Sequence, residues 1–207
     1  MVRLLCAAFS AAFFAITGCA TATEPGPRSA ATVFNALQSG CYVLVMRHAN
    51  SPSDQKAPLG LSAGCTLGDG RGLDALGFYQ ARALGELMRD HDVPIQKAYT
   101  SPMCRSWDTA ALAAAGAPVE MSRSQVSVDP AEIAAFKTKV AQELVGASGN
   151  IILASHSNIA PLYGATTRDG EDEVPSGVIY VIDPSDWQVF ARIDLVNAPG
   201  QPSVAVE

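Results

Sequence analysis

The chain has 207 residues, 48% of them hydrophobic and 16% charged, with a mean hydropathy of +0.16. That excludes a wholly disordered protein and leaves enough length to bury a core without metal or disulfide staples. Fourteen Lys and Arg stand against twenty Asp and Glu, a net charge of −6. Such a chain, with no basic stripe, lacks the clustered cations that nucleic acid requires, so nucleic acid is not an expected partner.

At the N-terminus, Arg3 precedes an apolar run from Leu4 to Ile16. The run is too short to span a bilayer and fits the hydrophobic region of a secretory signal. Ile16-Thr17-Gly18-Cys19 resembles a bacterial lipobox, which predicts cleavage before Cys19 and lipidation of its thiol. An ordinary signal peptide cut at Ala20 or Ala22 is the alternative. Ala20 stands where an inner-membrane retention signal would place Asp, so the expected location is the periplasmic face of the outer membrane. Residues 1–18 are then the signal, 19–29 a Pro- and Gly-containing tether, and 30–207 the folded domain. In that oxidising compartment Cys41, Cys65 and Cys104 remain. Cys41 opens an apolar run and is expected to be a buried thiol, which leaves Cys65–Cys104 as the disulfide; two free buried thiols are the alternative. No His/Cys cluster has zinc spacing, so neither metal nor cofactor is expected.

Cys41–Met46 is a continuous apolar run, read as a buried strand. Asp74 is placed to cap a helix running to about Arg89, with Leu76, Tyr79, Ala83, Leu84, Leu87 and Met88 on one face. A second strand covers Lys97–Thr100. A helix follows over Met103–Ala115, and Asp129-Pro130 opens another to about Val145. Asn150–Ala154 is a third buried strand, Ile159–Tyr163 starts a further helix, and Val178–Ile182 with Val189–Leu195 forms a hairpin. The alternation predicts a three-layer α/β/α fold with a largely parallel central sheet and an antiparallel addition near the C-terminus. Ligands of such sheets lie beyond the carboxyl ends of the strands.

Three of those ends carry unusual chemistry: Arg47-His48-Ala49-Asn50, Ser101-Pro102-Met103-Cys104-Arg105 and Ser155-His156-Ser157-Asn158. Two of the three histidines in the chain fall there. The R-H-A segment, L-x-x-x-G-x-x-Q-A-R-x-L-G from Leu73 to Gly85, Y-T-S-P-x-x-R-S-x-x-T-A from Tyr99 to Ala110, and I-L-A-S-H-S-N-I from Ile151 to Ile159 resemble, in order and spacing, the histidine phosphatase superfamily. Its phosphoglycerate mutase-like fold is implied with it. The subgroup it resembles most is small and bacterial, related to phosphohistidine and lipopolysaccharide-heptose phosphatases.

The resemblance implies that His48 attacks phosphorus and carries the phosphoryl group. Arg47, Arg71, Arg105, His156 and Asn50 would bind phosphate. The chemistry agrees: a nearly dianionic ester needs fixed guanidinium forks, and a neutral imidazole is a nucleophile near pH 7. His156 would donate to the equatorial oxygens of the transition state. Two departures stand out: Ser155 replaces a usual Gly, and the segment from Cys65 to Arg71 is stretched. The leaving-group acid is sought among Glu171, Asp172 and Glu173, with Glu171 favoured, and Asp54 next. The expected activity is a metal-independent phosphomonoesterase acting on a sugar, lipopolysaccharide or protein phosphate. A catalytically inactive module that binds phosphorylated ligands is the alternative. A serine hydrolase lacks its G-x-S-x-G elbow.

Overall fold

The computed structural model describes residues 28–53, 71–195 and 204–206, and within them seven strands form one sheet. The strands are β1 (Val43–Arg47), β2 (Ile95–Thr100), β3 (Val119–Met121), β4 (Asn150–Ser155), β5 (Val178–Asp183), β6 (Gln188–Leu195) and β7 (Val204–Val206). The helices are α1 (Ala30–Gln38), α2 (Ala75–Asp90), α3 (Cys104–Ala113) and α4 (Pro130–Leu144). Across the sheet the order is β3-β2-β4-β1-β5-β6-β7. The first four run parallel; β5, β6 and β7 add an antiparallel flank.

The residues of β1 explain its central place. Val43 to Met46 are fully buried because helices cover both faces of the sheet, which demands an uninterrupted apolar run. Leu44 and Met46 join Ile152 and Ala154 in a core shared with Val33 and Leu37 of α1, Leu84 and Met88 of α2, and Ala110 of α3. Val43 and Val45 face the other way, with Ile151 and Leu153, against Ile133, Phe136 and Val140 of α4. The result is the expected three-layer α/β/α sandwich.

Both predicted caps form. The Asp74 carboxylate accepts from the Gly77 amide at 2.8 Å, and that of Asp129 from the Ala131 amide at 2.8 Å. Other expectations need correction. Ile159–Tyr163 yields only a 3-10 turn over Ala160–Tyr163, ended at Gly164 in the left-handed region (φ 99°). Leu76 and Tyr79 are only half-buried; Gly77, Gln80 and Ala81 are buried instead, since the first turn of α2 packs against the loop after β1. The folded body starts before Ala30: Ser29 caps α1, and the Arg28 guanidinium donates to the Phe190 carbonyl at 2.7 Å while lying over its ring.

Cys41 is half-buried and disulfide-bonded rather than a buried free thiol. It precedes the strand, in the left-handed region (φ 74°), and so never enters the core. Cys104 is also disulfide-bonded, while Cys65 lies outside the described residues, as do the signal segment, Cys19 and Asp54. No described helix is long and apolar enough to cross a membrane.

Gly77 shows how tightly α2 meets that loop, for a Cβ there would stand 2.1 Å from the Asn50 carbonyl oxygen. Gly77→Ala is therefore expected to lower stability by about 1–3 kcal/mol in urea unfolding, the usual cost of forcing a methyl into a packed site. An unchanged midpoint would show that the loop yields freely.

Candidate active site

Because β1, β2 and β4 run parallel, their carboxyl ends share one edge of the sheet. Arg47 is in register with Ser155, and Thr100 with Ala154. The ladder continues one residue further, with the His48 amide donating to the Ser155 carbonyl at 2.9 Å. Two backbone ladders thus fix His48 and His156, whose rings lie edge to face with centroids 5.4 Å apart.

The hydrogen bonds assign the tautomers. His48 Nδ1 lies 2.9 Å from the Ala49 carbonyl oxygen, which can only accept, so Nδ1 carries the proton and Nε2 keeps its lone pair. His156 Nδ1 lies 3.4 Å from a guanidinium nitrogen of Arg105, which can only donate, so this Nδ1 is the acceptor. Its Nε2–H then donates to Ser101 Oγ at 2.9 Å. Both rings are buried. Burial pulls His48 down to about 3, with Arg105, His156 and Arg47 adding to it against the bond to Ala49. Burial and the charges of Arg105, Arg47 and Arg71 take His156 to about 4. Both histidines are therefore neutral at pH 7.

Three guanidiniums converge here: Arg47 from the end of β1, Arg105 from the first turn of α3, and Arg71 from just before α2. Arg105 is lowered by burial and by the positive charges of Arg71 and Arg47, so the three sense one another. The Nε of each is buried with no hydrogen-bond partner. Half-buried like charges with idle Nε donors make a socket for an anion with several oxygens. Thr109, in the third motif, ties the parts together: its Oγ1 accepts from the Ala49 amide at 2.9 Å and donates to the Arg105 carbonyl at 2.7 Å.

The acidic candidates separate. Glu173 is ion-paired with Arg47, whose guanidinium also donates to the Val174 carbonyl at 3.2 Å. A hydrogen bond from Ser157, and then the one from Arg47, hold the Glu173 carboxyl below the usual carboxylate range. Glu171, the favoured acid, does not reach the pocket. Arg192 of β6 grips both its oxygens, at 2.7 and 3.1 Å, and that bonding keeps its carboxyl low. Asp172 is exposed. The Asn50 side-chain amide donates to the Asp74 carboxylate at 2.7 Å, and so braces the cap of α2. Ser101 and Ser157 lie inside motifs of the sequence but carried no assigned role there, whereas Ser176, whose hydroxyl donates to the His48 carbonyl at 3.0 Å, gave no signal.

Two neutral histidines and three arginines thus meet at the parallel edge of an α/β sheet, a cationic arrangement suited to an oxyanion. Residues 43–125 match the family model described as histidine phosphatase superfamily (branch 1). The α/β fold is the histidine phosphatase fold. It is similar to the solved structure of the putative phosphohistidine phosphatase SixA from Agrobacterium tumefaciens, at 20% identity and TM-score 0.52, covering 77% of this chain and 99% of that one. It is also similar to the ecdysone phosphate phosphatase from Bombix mori, solved with tungstate, at 18% identity and TM-score 0.50, covering 79% and 95%. No curated protein sequence matches the chain.

Stability should depend on pH through these histidines. Their folded values, about 3 and about 4, lie below the unfolded value of about 6.5, so the unfolded chain binds more protons in that window. Stability is therefore full above about pH 6.5 and falls as pH drops toward 4, by up to about 1.4 kcal/mol per pH unit for each ring. Arg105→Ala should flatten that fall, since Arg105 depresses both values. Urea unfolding at pH 7 and pH 5 measures it; equal slopes in the two proteins would refute the coupling.

Proposed function

We propose that the protein is a metal-independent phosphomonoesterase that works through a phosphohistidine on His48. The observation that carries this reading is the socket itself: three buried, unpartnered arginine Nε groups around a histidine whose Nε2 lone pair is free by its tautomer. In the first half-reaction Nε2 attacks phosphorus, the bond from phosphorus to the ester oxygen breaks, and that oxygen leaves with a proton. In the second, water attacks the phosphohistidine and yields a proton to a base. Inorganic phosphate departs and His48 is neutral again.

Glu173 is the residue placed to carry that proton. The arriving dianion competes for Arg47, freeing the carboxylate, and its charge raises the carboxyl's affinity for a proton. His156 responds to the same charge. As the dianion offsets the arginines, Nδ1 takes up a proton and changes from acceptor to donor toward the phosphoryl oxygens.

His48→Ala should abolish turnover, and an acid-labile phosphohistidine should be trapped in the wild-type protein but not in the variant. Activity should survive EDTA and fall with vanadate; a strict divalent-metal requirement would sink the mechanism. Glu173→Gln should slow alkyl phosphates by about 10²-fold or more. p-Nitrophenyl phosphate should suffer much less, because nitrophenolate leaves unprotonated.

The substrate class, a sugar, lipopolysaccharide or protein phosphate of the cell envelope, rests on the export signal and the lipobox at Cys19. Cys19→Ser should release the protein from membranes while leaving its catalytic constants unaltered. Retention of the variant in the membrane fraction would remove the lipid anchor from this reading.

A further inference from the structure

The pocket has a wall that sequence motifs do not account for. The loop between Gly164 and Gly177, both left-handed (φ 99° and 77°), touches the R-H-A segment three times. Glu173 and the Val174 carbonyl hold Arg47, and Ser176 holds the His48 carbonyl. Val174 is fully buried in the core on the α4 side, whereas Glu173 beside it is 54% exposed.

A polar anchor for the segment just before Glu173 lies two strands away. Arg192 of β6 is 8% exposed, and its guanidinium takes both oxygens of Glu171 on one side and the Asp194 carboxylate, at 2.8 Å, on the other. Asp194 also pairs with Arg168 at 2.8 Å. Arg168 closes the circuit through its backbone: its amide donates to Glu171 Oε2 at 2.8 Å, and its carbonyl accepts from the Glu171 amide at 3.0 Å. Two cations alternate with two anions, and the strand-borne members, Arg192 and Asp194, stand on a rigid hairpin. Glu171 and Arg168 stand on the loop, two residues and five residues before Glu173.

We propose that Arg192, through Glu171, Asp194 and Arg168, is a positioning device that holds this loop over the phosphate pocket, and so sets Glu173 and Ser176 against Arg47 and His48. The inference rests on the catalytic reading given above for Glu173. A misplaced proton donor costs rate even when every pocket residue is present.

The test compares Glu171→Gln and Arg192→Lys with Glu173→Gln and with the Glu171→Gln/Glu173→Gln double variant. Glu171→Gln and Arg192→Lys should each lower kcat for an alkyl phosphate about tenfold or more while sparing p-nitrophenyl phosphate. In the Glu173→Gln background, Glu171→Gln should change that ratio no further. An unchanged ratio in both folded single variants overturns the proposal. So does an additional loss in the double variant, which would make Glu171 act directly. Hydrogen exchange reads the loop without turnover, and decides the matter should the wild-type protein hydrolyse no phosphomonoester, a failure that belongs to the catalytic reading. Amides of residues 172–177 should exchange at least tenfold faster in Glu171→Gln, with those of β1 unchanged. Unchanged loop exchange refutes the device.

Discussion

Three guanidiniums held close together impose the main constraint on this molecule. Like charges this close repel, as the lowering of Arg105 by Arg71 and Arg47 records. The fold must supply the rigidity that resists their separation. It does so with the parallel ladder that ends at Arg47 and Ser155, and with the Thr109 bridge between the loop after β1 and the first turn of α3. The neutrality of both histidines follows from the same charges and from burial. An anion that fills the socket removes repulsion as well as making bonds, so ligand binding and folding stability are coupled.

Two arginine–glutamate pairs in one loop region show how burial separates roles. Arg47 and Glu173 meet at the rim, where the carboxylate is 54% exposed and water can take it at little cost. That pair is exchangeable, so an incoming phosphate can replace the carboxylate. Arg192 is 8% exposed, and removing Glu171 would leave a buried cation short of a partner. That pair resists exchange and serves as an anchor. The sequence distance between the two carboxylates is only two residues; their strand partners decide which one can move.

Much of the fold was legible because helices cover both faces of the sheet and force unbroken apolar runs at Val43–Met46 and Ile151–Ala154. Caps at Asp74 and Asp129 were readable from local chemistry alone. Helix α1 was not, being nine residues whose burial rests on Val33, Phe34 and Leu37 meeting a sheet assembled from distant segments. The histidines and arginines stood out because their motifs abut the strands that carry them. The acid did not, since Glu171 and Glu173 look alike until β6 delivers Arg192 to one and β1 delivers Arg47 to the other. Asn50 likewise meets Asp74, a neighbour in space that only the fold supplies.

Ser155 stands where a glycine was expected, and strand parity explains why its side chain is tolerated beside the nucleophile. Successive residues of a strand point to opposite faces. Leu44 and Met46 lie in the core with α2 and α3, as does Ala154 beside Ser155; Val45 and Leu153 lie in the core with α4. Carried one residue past the strands, that alternation sets His48 and His156 on the α3 side, where Arg105 enters, and Arg47 and Ser155 on the α4 side, beneath Glu173. Ser155 meets His48 through its carbonyl, which accepts from the His48 amide at 2.9 Å. The socket is gripped from both faces of the sheet, and the period of two that buries the strands also divides nucleophile from counter-charge. A one-residue slip of β1 against β4 would exchange those sides and bring Arg47 to where His48 must stand. The apolar core and the catalytic register are thus fixed by one pairing.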